Sequence, residues 1–181
     1  MAVTLAAMAG AVALLSVETS LHTVDDAVQQ TIARGLAEQL ADEILGARYM
    51  SPGGNPQQYP MSANAWELQG EGRERFDDTD DFHGFTARPP EDRYGVEIGL
   101  GDGAGGYRHP AFQVRSDYFD RWQQRIEMYY VNPANLAQRL SGSQASDYRC
   151  LEVTIFRREP GGAERPLAKL RQVFAYAPHP Q

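Results

Sequence analysis

Apolar positions give the chain three successive rhythms. Residues 1–17, MAVTLAAMAGAVALLSV, have only Thr4 and Ser16 as polar side chains, and the first charged residue is Glu18. From Val17 the apolar positions are Leu21, Val24, Val28, Ile32, Leu36, Leu40 and Ile44, spaced 4, 3, 4, 4, 4, 4 and 4 apart. That is one face of a helix. Ala27, Ala33, Ala37, Ala41 and Leu45 widen it, while Glu18, Asp25, Asp26, Arg34, Glu38, Asp42 and Glu43 take the remaining surface. Gly46 supplies a residue for the helix end, and Pro52 blocks any continuation. The pattern predicts one helix of about 44 residues, about 65 Å long. Residues 122–181 change to period two. Trp122, Gln124, Ile126, Met128 and Tyr130 alternate with Gln123, Arg125, Glu127 and Tyr129. Leu151, Val153 and Ile155 alternate with Glu152, Thr154 and Phe156, and Leu167–Tyr176 returns after the turn Pro160-Gly161-Gly162-Ala163. These are strands with one buried face, the last two forming an antiparallel hairpin.

The predicted fold class is therefore α+β: a long N-terminal helix, apolar in its first half and amphipathic in its second, packed on a small antiparallel C-terminal sheet. Leu21, Val28, Ile32, Leu36, Leu40 and Ile44 are the expected helix-to-sheet contacts. The expected division is 1–46 membrane and assembly helix, 47–121 loop-rich connector and 122–181 sheet. No domain of this size buries the uncharged half of such a helix. Leu5, Met8, Val12, Leu14 and Leu15 are expected to enter a bilayer or meet other copies of the chain. A span takes about 20 apolar residues, with about 17 as the lower limit. A cleaved signal peptide competes with this reading but lacks the basic residues before its apolar run; a buried core helix is the other competitor.

Composition narrows the function classes. The chain has 181 residues, 24 acids against 17 bases and a net charge of −7. Nucleic-acid binding is excluded for want of clustered Lys and Arg. The single Cys150 rules out an intrachain disulfide and a multi-cysteine zinc site, and no catalytic constellation emerges from the histidines or from any nucleophile motif. Gly101, Gly103 and Gly106 match G-x-G-x-x-G, but Tyr107-Arg108-His109-Pro110 follows where a nucleotide loop needs a helix, so a turn is expected.

The most distinctive segment is 76–90, FDDTDDFHGFTARPP. Asp77, Asp78, Asp80 and Asp81 put four carboxylates within five residues. One reading is a Ca²⁺ site, because hard cations collect carboxylate oxygens, although the EF-hand spacing is missing. The other is a solvated loop anchored by Phe76, Phe82 and Phe85, with the aspartates capping turns.

The apolar segment running into Leu21–Leu45, the stretch Gly35–Leu45 (GLAEQLADEIL) and the terminal hairpin together resemble type IV pilin-like proteins, specifically pseudopilins of the type II secretion kind. Residues 76–90 are similar to a segment of pilin-like proteins from planctomycete-type bacteria that carry a prepilin cleavage and methylation signal. The resemblance implies a non-enzymatic subunit, single-pass in the bacterial inner membrane with its globular part in the periplasm. It also implies partners: other pilin-like subunits, forming a homo- or heteropolymer through the N-terminal helix. The family's basic leader, its Gly-Phe-Thr-Leu and the Glu five residues after the cut have no counterpart before Glu18. Prepilin peptidase and the assembly machinery are thus expected as partners if the natural start lies upstream. No cofactor is implied beyond the candidate Ca²⁺. The alternative is a periplasmic or exported binding module whose acidic loop holds Ca²⁺ or a partner.

Overall fold

A computed structural model describes residues 2–177, with side chains from Ser16 onward. One helix, α1 (Ala2–Leu45), precedes a five-stranded antiparallel sheet: β1 (Thr86–Ala87), β2 (Trp122–Asn132), β3 (Asn135–Arg139), β4 (Tyr148–Arg158) and β5 (Glu164–Ala175). The order is β1-β2-β4-β5, with β3 folded back on the end of β2. The architecture is α+β.

Period-two patterning decides which sheet face is buried. Trp122, Gln124, Ile126, Met128 and Tyr130 point inward from β2, and Leu151, Val153 and Ile155 join them from β4. The β4–β5 hairpin closes as Gly162, at φ +85°, donates its N–H to Glu159 O at 2.8 Å. Asn132-Pro133-Ala134-Asn135 does not end the sheet but turns β2 into the short β3.

The helix lies against this face on a narrower stripe than the apolar spacing predicts. Leu40 and Ile44 are buried, and Ile32 and Leu36 pack half-buried on the core. Leu21 and Val28 do not pack on the sheet at all; they are 66% and 48% exposed. The line of closest approach is Ala33, Ala37 and Ala41, whose small side chains bring the helix backbone near the strands while the larger neighbours wedge in at the sides. Every described side chain of α1 before residue 29 is exposed, so Leu21 and Val28 lie beyond the buried part of the stripe.

The expected inner-membrane location also requires correction: among the described residues no helix is long and apolar enough to cross a membrane. From Ser16 onward α1 carries Glu18, Asp25, Asp26 and further charges, each costly in hydrocarbon. Leu5, Met8, Val12, Leu14 and Leu15 lie outside the described side chains.

The connector belongs to the same core as helix and sheet. Met61, Phe76, Phe82 and Phe119 are buried in one cluster with Ala37, Ile44, Ile126 and Val153. One arginine of the connector ties it to the helix. Arg73 donates Nε and NH2 to Glu43 of α1 at 3.0 and 2.9 Å and lies over the Phe85 ring. Its backbone crosses the Arg93–Gly95 turn so closely that a Cβ on Gly72, at φ +55°, would sit 2.2 Å from Gly95 N.

Candidate functional site: the acidic loop and the exposed helix face

The acidic loop lies against the segment that leaves α1, and its aspartates are oriented by bonds within the protein. Arg48 N donates to Asp77 O at 3.3 Å and Thr79 N to Arg48 O at 2.9 Å, pinning the loop to the segment that leaves the helix. Phe76 and Phe82 are buried and meet edge to face at 5.2 Å, with Phe85 half-buried beside them.

The four aspartates do not converge on one point. Asp77 is exposed and pairs with Arg48 at 3.4 Å. Asp78 accepts from Ser51 Oγ at 2.5 Å and from the Asp80 N–H at 2.8 Å. Asp80 forms a 2.5 Å ion pair with Arg149, both side chains essentially without solvent contact. Asp81 accepts from the N–H groups of Asp77 and Asp78 at 2.9 and 3.2 Å and is hydrogen bonded to the carboxyl of Glu67, a buried residue of the 3-10 turn Glu67–Gln69. Among the described residues, those that could hold a metal ion are Glu67, Asp77 and Asp81, which each offer one oxygen within 4.8 Å of the others. That set adds Glu67 to the expected four and leaves out Asp78 and Asp80, whose oxygens face protein donors.

Burial governs the loop's proton affinity. It pushes Asp81 up to about 7, with the Asp77 and Asp78 N–H groups opposing and the Asp78 charge and Glu67 hydrogen bond adding to the rise. It pushes Asp80 up to about 6 against the attraction of Arg149.

Arg149 is the centre of this region, and the apolar and acidic patterns alone do not single it out. Its guanidinium donates to Tyr49 O, Thr79 Oγ1 and Pro56 O at 2.5, 2.8 and 3.1 Å and to the Tyr130 hydroxyl at 3.3 Å, and it lies 4.0 Å from the Tyr49 ring centroid. One side chain from β4 thus ties down the post-helix segment, the connector and the acidic loop. A signal was present: Arg149 falls on the inward register of Leu151, Val153 and Ile155, and a charge there needs a buried counter-charge.

The glycine segment forms a turn. Asp102 Oδ1 accepts from Ala104 N at 2.8 Å and Gly106 N at 3.0 Å, which holds its carboxyl below the usual range. Only the three-residue turn Pro110–Phe112 follows. Cys150 is buried, and its thiol is pushed up by that burial.

The second candidate surface lies on α1. Residues 16–28 are all exposed, about 20 Å of helix at 1.5 Å per residue. Val17, Leu21, Val24 and Val28 stand on one side of it, 58%, 66%, 60% and 48% exposed. No protein family, curated protein or solved structure matches the chain.

Proposed function

We propose that this chain is a pilin-like structural subunit, of the kind that builds type II secretion or type IV pilus-like filaments, and that it works by assembly through its N-terminal helix. The observation that carries this reading is the stripe Val17, Leu21, Val24 and Val28 on a helix that outruns its head. Four adjacent aliphatic side chains, three of them more than half exposed and Val28 nearly so, are unusual on an isolated chain and mark an interaction surface. Burying them stabilises a contact by roughly 1 kcal/mol or more each. The helix spacing of 4, 3 and 4 is that of helix-on-helix packing, so the fitting partner is another helix of the same type. The acidic loop supports a structural role in the head, since Asp78 and Asp80 face Ser51 and Arg149.

Negative-stain electron microscopy of the full chain tests the reading. Fibrous or ring-like polymers are expected from the native sequence and none from Leu21→Asp. Polymers of equal abundance from both would remove the helix face from the account.

A further inference from the structure

Residues 16–28 of α1 are exposed, and this part of the helix must leave the head in one direction if its apolar stripe is to meet a partner in register. The first residue of the described helix to be buried is Gln29, at 4% exposed, and every described residue before it is open to solvent. Polar groups of both strands and of its own helix meet its amide. Its Oε1 accepts from Arg157 NH1 of β4 and, at 3.4 Å, from Arg165 NH2 of β5, while its Nε2 donates to Asp25 one turn earlier. Arg165 reaches further out along the helix to Asp26 at 3.3 Å and is steadied from its own hairpin by Glu159 at 3.0 Å. Two strand arginines therefore converge on one amide at the point where the helix departs. Beside Gln29 and Arg157 lies a polar cleft of about 430 Å³, lined also by Asp25, Arg115, Tyr118 and Arg121.

We propose that Gln29, Arg157 and Arg165 form a clamp that fixes the direction in which the assembly helix leaves the head, with residue 29 as the pivot of its outer half. The amide suits this task because it is a neutral acceptor in a buried position. It satisfies two guanidinium donors without placing a carboxylate out of water, where a charge costs more than a dipole. The Arg165–Asp26 pair is half-exposed and adds little energy by itself; it sets rotation about the helix axis. Ser20 and Thr23 beyond the clamp, and Thr31 just inside it, each donate a hydroxyl to the carbonyl four residues back, at 2.8, 2.9 and 2.8 Å. Such bonds favour gentle bending, so the clamp, and not the helix's own stiffness, determines the exit angle. The use made of that angle rests on the assembly reading; the clamp itself does not.

Pulsed electron–electron distance measurement between nitroxides at Ser20→Cys on α1 and Ala137→Cys on β3 tests the clamp in the full chain. Cys150 is replaced by Ala, and the labelled protein is diluted into an excess of unlabelled chain, so that only distances within one molecule are read. A single narrow distribution is expected for the otherwise native sequence. A distribution at least twice as broad is expected for Gln29→Ala combined with Arg157→Met. A narrow, unshifted distribution in the double variant, or a broad one with the clamp intact, overturns the proposal. Far-UV circular dichroism on each variant separates loss of the clamp from loss of fold, and Arg165→Gln alone, expected to broaden the distribution to a smaller degree, serves if the double variant does not fold. Because the reading is intramolecular, a chain that never polymerises still reports on the clamp, and a chain that polymerises with the clamp broken separates the two ideas.

Discussion

Replacing Arg149 by Met removes a fully buried guanidinium and keeps most of its volume. The change leaves the Asp80 carboxylate, 5% exposed, without its 2.5 Å partner, and it orphans the acceptors Tyr49 O, Thr79 Oγ1 and Pro56 O. Breaking a buried pair on one side costs about 3–5 kcal/mol. The charge has an escape route that lowers its own share: Asp80, already pushed up to about 6 by burial, takes up a proton at neutral pH for about 1–2 kcal/mol, and the orphaned acceptors supply the rest of the loss at about 1–3 kcal/mol each. Both routes give a large share of a domain's total of about 5–15 kcal/mol. The melting temperature is expected to fall by roughly 10 °C. The assay is urea unfolding followed by far-UV circular dichroism for the native chain, Arg149→Met, Asp80→Leu and the double variant. Asp80 is pushed up by burial already, and without Arg149 it rises further. A raised carboxyl stabilises the fold relative to the unfolded chain at low pH and loses that advantage as pH rises through its folded value. The destabilisation should thus be smallest near about pH 4 and grow toward about pH 8. The double variant, which removes both charges, should recover most of the loss. A loss below about 1 kcal/mol at neutral pH, or one independent of pH, would refute the assignment of Arg149 as the residue that holds the connector.

Other parts of the account make their own demands. Gly72→Ala places a Cβ 2.2 Å from Gly95 N at a positive φ; a loss of about 2 kcal/mol or more is expected in urea unfolding, and a near-neutral result would show that the Gly72–Gly95 crossing is loose. Ala37→Leu pushes the helix away from the sheet at a fully buried position and should cost about 1–3 kcal/mol by the same assay, whereas Gly35→Ala, with open space around it, should be neutral or stabilising. Asp80 and Asp81 are raised to about 6 and about 7, so the urea midpoint of the native chain should decline as pH rises from about 4 through 7. A flat profile over that interval would mean that the loop's carboxyls are hydrated.

The strands were legible because a sheet with one buried face imposes its period directly on the side chains. Trp122–Tyr130 and Leu151–Ile155 carry that imprint without interruption. The helix was legible as an element but not as a contact. Leu21, Val24 and Val28 continue the same apolar spacing as Leu36, Leu40 and Ile44, and a spacing records only that a face is apolar, not how far the surface covering it extends. The buried line runs over Ala33, Ala37 and Ala41 because close approach rewards small side chains, a feature hydrophobicity does not rank. In the acidic loop the carboxylates were visible and their counter-charge was not, since Arg149 lies 69 residues after Asp80 and only the fold brings the two together. Glu67 reaches Asp81 across a connector with no periodic pattern to place it. Local signals recover elements and turns; the pairing of distant polar groups is set by topology.

Sedimentation velocity of the full chain across a range of concentrations, native sequence against Leu21→Asp/Val24→Asp, reads assembly through the exposed helix face. Both side chains are more than half exposed, so the variant should keep the native circular dichroism spectrum and melting temperature. The account predicts concentration-dependent oligomers of the native chain and a monomer at every concentration for the variant. A native chain that stays monomeric throughout, or a variant that associates as the native chain does, would contradict it.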